Sequence, residues 1–202
     1  MDCLSTDMSE ERVAISDKSN DFVSFADETV RYGIKRILYS DITSTTFQSV
    51  SKTVNLIPNW DTYLFGVSSP KENIQVRLTS WFRIGNRRKA DTFNALLRLT
   101  NAHIHPLIVR RMLTKLLIED ETITVGGISM NRLGMESSHR GYFPWCQLRG
   151  YRIYNGTLII DGEDPKKARK SIIFAATSMG TPNALVLPIL FDNVRKVAAA
   201  QA

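Results

Sequence analysis

Between residues 21 and 80 the apolar residues come in short runs rich in β-branched and aromatic side chains, "FVSFADETVRY", "IKRILYSDITSTTFQSV", "TYLFGVSS" and "NIQVRLTSWF", divided by Gly33, Pro58, Asn59, Pro70 and Asn73. Runs of this length bounded by turn formers predict a small antiparallel sheet. The period then changes. From Ala90 to Ile118, Phe93, Leu96, Leu97, Thr100, Ile104, Ile108, Met112 and Leu116 recur at spacings of three and four. That spacing predicts one long helix with a buried face, kinked at Pro106. Strand-like runs return after Glu119 in "TITVGGISMNRLGMES", "FPWCQLRGYRIY", "GTLIIDG" and "SIIFAATS". A second helix is predicted to open at Thr181-Pro182, an N-cap followed by proline, with Val186, Ile189, Leu190 and Val197 on its apolar face and Pro188 able to delay its start.

Strands then helix, twice over, suggests a duplicated unit, and three pairs of segments occur in the same order. "YSDI" (39–42) and "WCQL" (145–148) each place an aromatic three residues before an aliphatic at a strand start. "VRLTS" ending at Ser80 and "FAATS" ending at Ser178 close the strands before the helices, at an offset of 98. "DTFNALL" (91–97) and "GTPNALV" (180–186) share four letters at an offset of 89. The difference of nine predicts an insertion in the first unit, in and around "WFRIGNRRKA". Within the second unit, Pro144 can begin a strand without wasting a ladder donor, and Trp145, Leu148 and their counterpart Ile42 supply core side chains. Asn155-Gly156 suits the positive φ angles of a two-residue hairpin turn.

The meander-then-helix order, with "GISMNRLGMES", "FPWCQLRGYRIYNGTLII" and "TPNALVLPILF", resembles the pleckstrin-homology-like (PH-like) domains of bacterial and archaeal proteins, in particular those with tandem domains. The resemblance covers residues 120–198 and, more loosely, 21–118. It implies an α+β fold of two tandem PH-like units, each a curved antiparallel sheet followed by a C-terminal helix. Residues 1–20 would be a disordered acidic leader, 21–118 the first unit with the long kinked helix, and 119–202 the second. The motifs are core and turn residues and transfer no functional site. Members of such families bind phosphoinositides, peptides or other subunits, and enzymes among them are uncommon. The loop that would hold a phosphoinositide, "NRLGMESSHRGY", offers only Arg132, His139 and Arg140, and its counterpart in the first unit only Lys35 and Arg36 beside Gly33.

Charge sharpens the picture. The 202 residues carry a net +6, but residues 1–29 hold eight acids against two bases, leaving +12 for the rest. An acidic leader precedes a basic body; it reads either as a solvated terminus that aids solubility or as a segment that folds back on the basic body and competes with an anionic partner. Basic residues cluster in the expected insertion, with Arg83, Arg87, Arg88 and Lys89, and in "KKARK", with Lys166, Lys167, Arg169 and Lys170. Solvated loops account for such runs; so does a site for phosphate groups of lipid or nucleic acid, with Trp81 and Phe82 as interfacial anchors.

Catalytic and metal chemistry finds little footing. His103 and His105, two apart on a helix, point about 200° from each other and cannot share a metal. Cys3 and Cys146 form no disulfide framework and no zinc-ligand spacing, and Cys146 reads as buried in a strand, where thiolate formation is suppressed. Glu163 and Asp164 fall in a hairpin loop. No cofactor is expected. The two cysteines, the absence of a long apolar run and the acidic N-terminus read as a cytoplasmic protein, with a peripheral membrane location as the variant. The function expected is a non-enzymatic interaction or assembly module that binds protein partners or self-associates. Binding to an anionic membrane surface or phospholipid through the basic loops is the alternative, and nucleic-acid binding, through the alternation of Arg149, Tyr151, Arg152 and Tyr154, is the third.

Overall fold

The fold is α+β, with four antiparallel sheets and three α-helices among the described residues. A computed structural model describes residues 10–26, 28–54, 57–81, 84–138, 140–163 and 171–200, with the backbone alone at 53–54, 57–59 and 198–200. The chain divides into two compact units, Met1–Thr45 with Val50–Ile104, and Thr46–Ser49 with His105–Ala202.

The first unit opens with β1 (Glu11–Ala14), β2 (Phe22–Ala26), β3 (Thr29–Tyr32) and β4 (Lys35–Leu38), a four-stranded meander in the order β1-β2-β3-β4. The leader was expected to lack regular structure through residue 20, yet Glu11–Ala14 pairs with Phe22–Phe25 and buries Val13. One buried apolar residue in a four-residue strand is too weak a signal to read through the surrounding acids. A 3-10 turn, Tyr39–Asp41, leads to β5 (Ser44–Val54), β6 (Ile57–Ser68) and β7 (Asn73–Trp81), in the order β5-β6-β7. β7 shows the alternation of a sheet with one face in the core: Ile74, Val76, Leu78 and Ser80 are buried and their neighbours lie outward. Helix α1 (Asn86–His103) packs on β6 and β7 through Leu96, Leu99 and Thr100.

The periodic stretch predicted as one kinked helix is two: α1 ends at His103, and α2 (His105–Leu117) starts one residue before Pro106. Proline has no amide hydrogen to donate back across the break, so it sits naturally in the first turn of a new helix.

The second unit repeats the order. β8 (Ile123–Val125), β9 (Ile128–Met130), β10 (Gly134–Ser137) and β11 (Gly141–Pro144) form a four-stranded meander, so the stretch read as a loop from Asn131 to Tyr142 contains β10. The 3-10 turn Trp145–Gln147 follows, then β12 (Leu148–Tyr154), β13 (Thr157–Glu163) and β14 (Ser171–Ser178) in the order β12-β13-β14. Pro144 thus ends a strand instead of opening one. Asn155 and Gly156, at φ 47° and 69°, make the two-residue turn between β12 and β13 that their identities predict. The second helix opens later than Thr181-Pro182: a 3-10 turn, Ala184–Val186, precedes α3 (Leu187–Ala200), whose second residue is Pro188. Trp145, Leu148, Leu158, Ile160, Phe174, Leu190, Phe191 and Leu116 share one buried cluster. Each unit therefore carries two sheets before its helix, joined by a 3-10 turn, in place of one continuous curved sheet.

The two 3-10 turns match in detail. Leu38 and Pro144 precede them at φ/ψ of −68°/140° and −65°/149°, and Ile42 and Leu148 follow at −68°/119° and −68°/112°. The aromatic-to-aliphatic spacing marks a tight turn: Tyr39 and Trp145 point inward, and the Ile42 and Leu148 amides donate back to their carbonyls. Cys146 is exposed, contrary to its reading as a buried strand residue, because a three-residue turn that buries Trp145 presents its next side chain outward.

The expected nine-residue insertion has no counterpart. Gly85 before α1 (φ 68°, ψ 13°) and Asn183 before the 3-10 turn of the second helix (φ 63°, ψ 8°) are the same left-handed cap, 98 residues apart, the offset that also relates Ser80 to Ser178. The shared "NAL" letters are a coincidence: Asn94 lies inside α1, whereas Asn183 is a cap.

Candidate binding surfaces

Three of the basic residues singled out in the sequence, Arg87, Arg88 and Lys89, stand in the first turn of α1. Arg83 and the run Lys166, Lys167, Arg169 and Lys170 lie outside the described residues. The helix start is anchored by polar contacts. The Asn86 side-chain carbonyl accepts from Tyr63 Oη at 3.0 Å and from the buried Ser80 Oγ at 3.2 Å. Lys89 Nζ donates to the Thr79 carbonyl, so its charge faces the end of β7. Arg88 pairs with Asp17 of the leader. Arg87 is exposed. The basic cluster is thus divided into three environments: one cation held by backbone, one held by a carboxylate and one in solvent.

The leader also meets α1 further along. Thr92 Oγ1 donates to the Ala14 carbonyl at 3.4 Å, and Glu11 lies 3.8 Å from Arg98 and 3.4 Å from His103. Glu11, Ala14, Thr92 and Arg98 line a groove of about 320 Å3 between β1 and α1. The attraction inferred between acidic leader and basic body is therefore local for these residues, carboxylates of residues 11–17 matched to cations of one helix. Exposed pairs of this kind contribute about 0–1 kcal/mol each.

Beside the basic turn lies an apolar feature. Trp81, at the end of β7, is 59% exposed, and Ile84 in the turn is 76% exposed. The Trp81 ring lies 5.5 Å from that of Trp60, its cross-strand partner, and Lys52 Nζ sits 4.7 Å above the Trp60 ring. Trp81 is therefore a surface residue, and Phe82 lies outside the described residues.

A second surface belongs to the second unit. α2 and α3 pack together yet leave an open groove of about 450 Å3, lined by Pro106, Val109, Leu113, Leu117, Ile118 and Ile189, with Arg110 as its one charged lining residue. Ile118 is 79% exposed at its end. Several lining side chains also serve the core: Val109 is buried, Leu113 and Leu117 pack in part against the buried cluster, and Ile118 and Ile189 are the exposed large apolar residues at the groove, so its sequence signal was no more than the apolar run of α2 itself.

The histidines do different work. His103 ends α1, its ring stacked 5.9 Å from Tyr39. His105 opens α2 fully buried, with its ring edge-on to Phe47 at 6.1 Å, and burial lowers its pKa from 6.5 to about 4, so it is neutral near pH 7. Among the described residues no group of three or more His, Cys, Asp or Glu is placed to hold a metal ion, and no helix is long and apolar enough to cross a membrane. Comparison of the chain with protein-family models, with curated proteins and with solved structures finds no match.

Proposed function

We propose that this protein is a non-enzymatic interaction module of two tandem PH-like units, and that the α2–α3 groove receives an acidic amphipathic helix of a protein partner. The tandem reading rests on the recurrence of four strands, a 3-10 turn, three strands and a helix, with matching backbone angles at the turn and at the left-handed cap. The groove carries the functional reading. An apolar trough between two helices suits the apolar stripe of a third helix, with side chains at i, i+3 or i+4, and i+7. Charge selects among such helices: Arg110 is the charged residue of the lining, whereas Lys115 is already paired with Glu121 at 2.8 Å. A partner with glutamates flanking its leucines matches both features.

The test is a fluorescence-anisotropy titration of a labelled synthetic helix with that pattern against the full chain. Saturable binding is expected, weakened about tenfold or more by Leu113→Asp and by Arg110→Glu, with the charge variant recovering when lysines replace the peptide glutamates. No binding by the wild-type chain overturns the reading. So does a concentration-dependent dimer in sedimentation that Leu113→Asp abolishes, since a second copy would then be the occupant.

A further inference from the structure

A lone exposed aromatic on a sheet needs no explanation, but the outward face of β5, β6 and β7 gathers several features on one surface. In β7 the buried side chains alternate with Arg77, Thr79 and Trp81, which point outward. Opposite them on β6, in register, stand Leu64, Thr62 and Trp60. The two indole rings lie 5.5 Å apart, tilted by 53°. Lys52 of β5 sits 4.7 Å above the Trp60 ring, which holds that ring in place and leaves Trp81, 59% exposed, as the open one. Beside the pair, the Thr62 and Thr79 hydroxyls meet at 3.4 Å.

The face is also one-sided in charge. Asp61 is the only acid in the sequence of these three strands, and it is buried on the inward face, opposite Ser80 and accepting from Ser51 Oγ. Lys52 and Arg77 therefore set the sign of the outward surface. Arg77 stands four residues along β7 from Trp81, about 13 Å at the rise of a strand, so an extended polyanion lying along β7 meets both.

We propose that this face binds single-stranded RNA, with a base stacked on Trp81, a ribose 2′-hydroxyl at Thr62 and Thr79, and phosphates at Lys52 and Arg77. An aromatic ring open to solvent on a rigid sheet accepts any unpaired base, because every base has a π-face. A duplex hides those faces, whereas the 2′-hydroxyl gives the threonines a group to donate to and accept from. The strand whose alternation suggested this ligand, β12, is a poorer host. Its Arg149 pairs with Glu163 at 3.3 Å, its Arg152 with Asp161 at 2.5 Å, and Tyr151 Oη donates to Asp192 at 3.0 Å.

The test is fluorescence anisotropy of a labelled, mixed-sequence single-stranded RNA of about 12 nucleotides, titrated with the full chain at two salt concentrations. Saturable binding is expected, weakening as salt rises because phosphate contacts release counterions. Trp81→Ala should lower affinity about tenfold, while Trp81→Phe, which keeps an aromatic face, should retain most of it. Arg77→Glu should weaken binding and flatten its salt dependence. RNA should quench the indole fluorescence of the native chain and quench Trp81→Phe far less. Tyr154→Ser on β12 and Leu113→Asp in the helix groove should leave RNA affinity unchanged. Trp81 and Arg77 are exposed, so their substitution spares the core, and circular dichroism of each variant checks folding. Any of four results overturns the proposal: no binding of the RNA, affinity unchanged in Trp81→Ala, a loss in Tyr154→Ser equal to that in Trp81→Ala, or duplex RNA or single-stranded DNA of the same sequence bound as tightly as the single-stranded RNA.

Discussion

Truncating Trp145 probes the logic of the second unit most directly. The indole is 5% exposed, lies 6.2 Å from the Phe191 ring of α3, and donates its Nε1–H to the Asn131 carbonyl at 2.9 Å. Its own amide donates to the Leu133 carbonyl at 3.2 Å. One residue therefore ties the β9–β10 connection, the 3-10 turn and the helix to a common core. Trp145→Phe keeps most of the burial and loses one hydrogen bond, which costs about 1 kcal/mol. Trp145→Ala loses the ring as well and leaves a cavity against Phe191, costing about 3–5 kcal/mol. Unfolding across two units need not be two-state, so the measurement is hydrogen exchange by mass spectrometry with urea titration of individual peptides. Peptides from α3 and β12–β14 should lose protection in proportion to these figures, with Ala several times worse than Phe. A shift below about 1 kcal/mol for Trp145→Ala, or equal effects of Phe and Ala, would refute the role assigned to the ring.

Two further outcomes follow from local geometry. His105 is neutral in the fold with its pKa lowered to about 4, so its contribution is complete above about pH 6.5 and is lost as pH falls toward about 4, roughly 3 kcal/mol in all. Urea midpoints across that window should fall more steeply for the native chain than for His105→Asn, and parallel curves would count against it. Gly162→Ala would place a Cβ 2.1 Å from Cζ of Phe143, a ring stacked on Phe174, and should cost about 1–3 kcal/mol. Gly150→Ala, with no atom within 4 Å of its added carbon, should stay within about 0.5 kcal/mol, and equal denaturation shifts for the two would dismiss the steric account.

What could be read from the sequence was local. Asn155-Gly156 announced its turn because few other pairs adopt two positive φ angles, and the apolar period of α1 and α2 was visible because each side chain that enters the core obeys the helical repeat. Ile42, Leu148 and Trp145, picked as core residues, are buried. The lost information was of two kinds. Non-local pairings leave no periodic mark: the charge imbalance set the acidic leader against the basic body but did not single out Asp17 with Arg88, and nothing in "ERVA" announces an edge strand. Conformations shared by different residues are equally hidden, so the "NAL" coincidence outweighed Gly85 and Asn183, which have no letter in common. The groove escaped because Val109, Leu113 and Leu117, which line it, also serve the core, so α2 resembles, letter by letter, a helix that is merely well buried.

The left-handed cap has a consequence for how such a chain can change over time. Its requirement is a backbone angle, met by glycine with no steric cost and by asparagine with little, whereas a β-branched residue there would be strained. Substitution between the two solutions leaves the frame intact while erasing textual kinship. A duplicated unit governed by a few such angles can drift until its halves share architecture without spelling, and each half is then free to acquire its own surface. On the tandem reading proposed above, the first half would carry tryptophan, isoleucine and arginine beside its cap, and the second an apolar trough between helices. On that reading, divergence of role within one geometry would need no new fold, only tolerance at the positions where shape, and not side chain, is what selection sees.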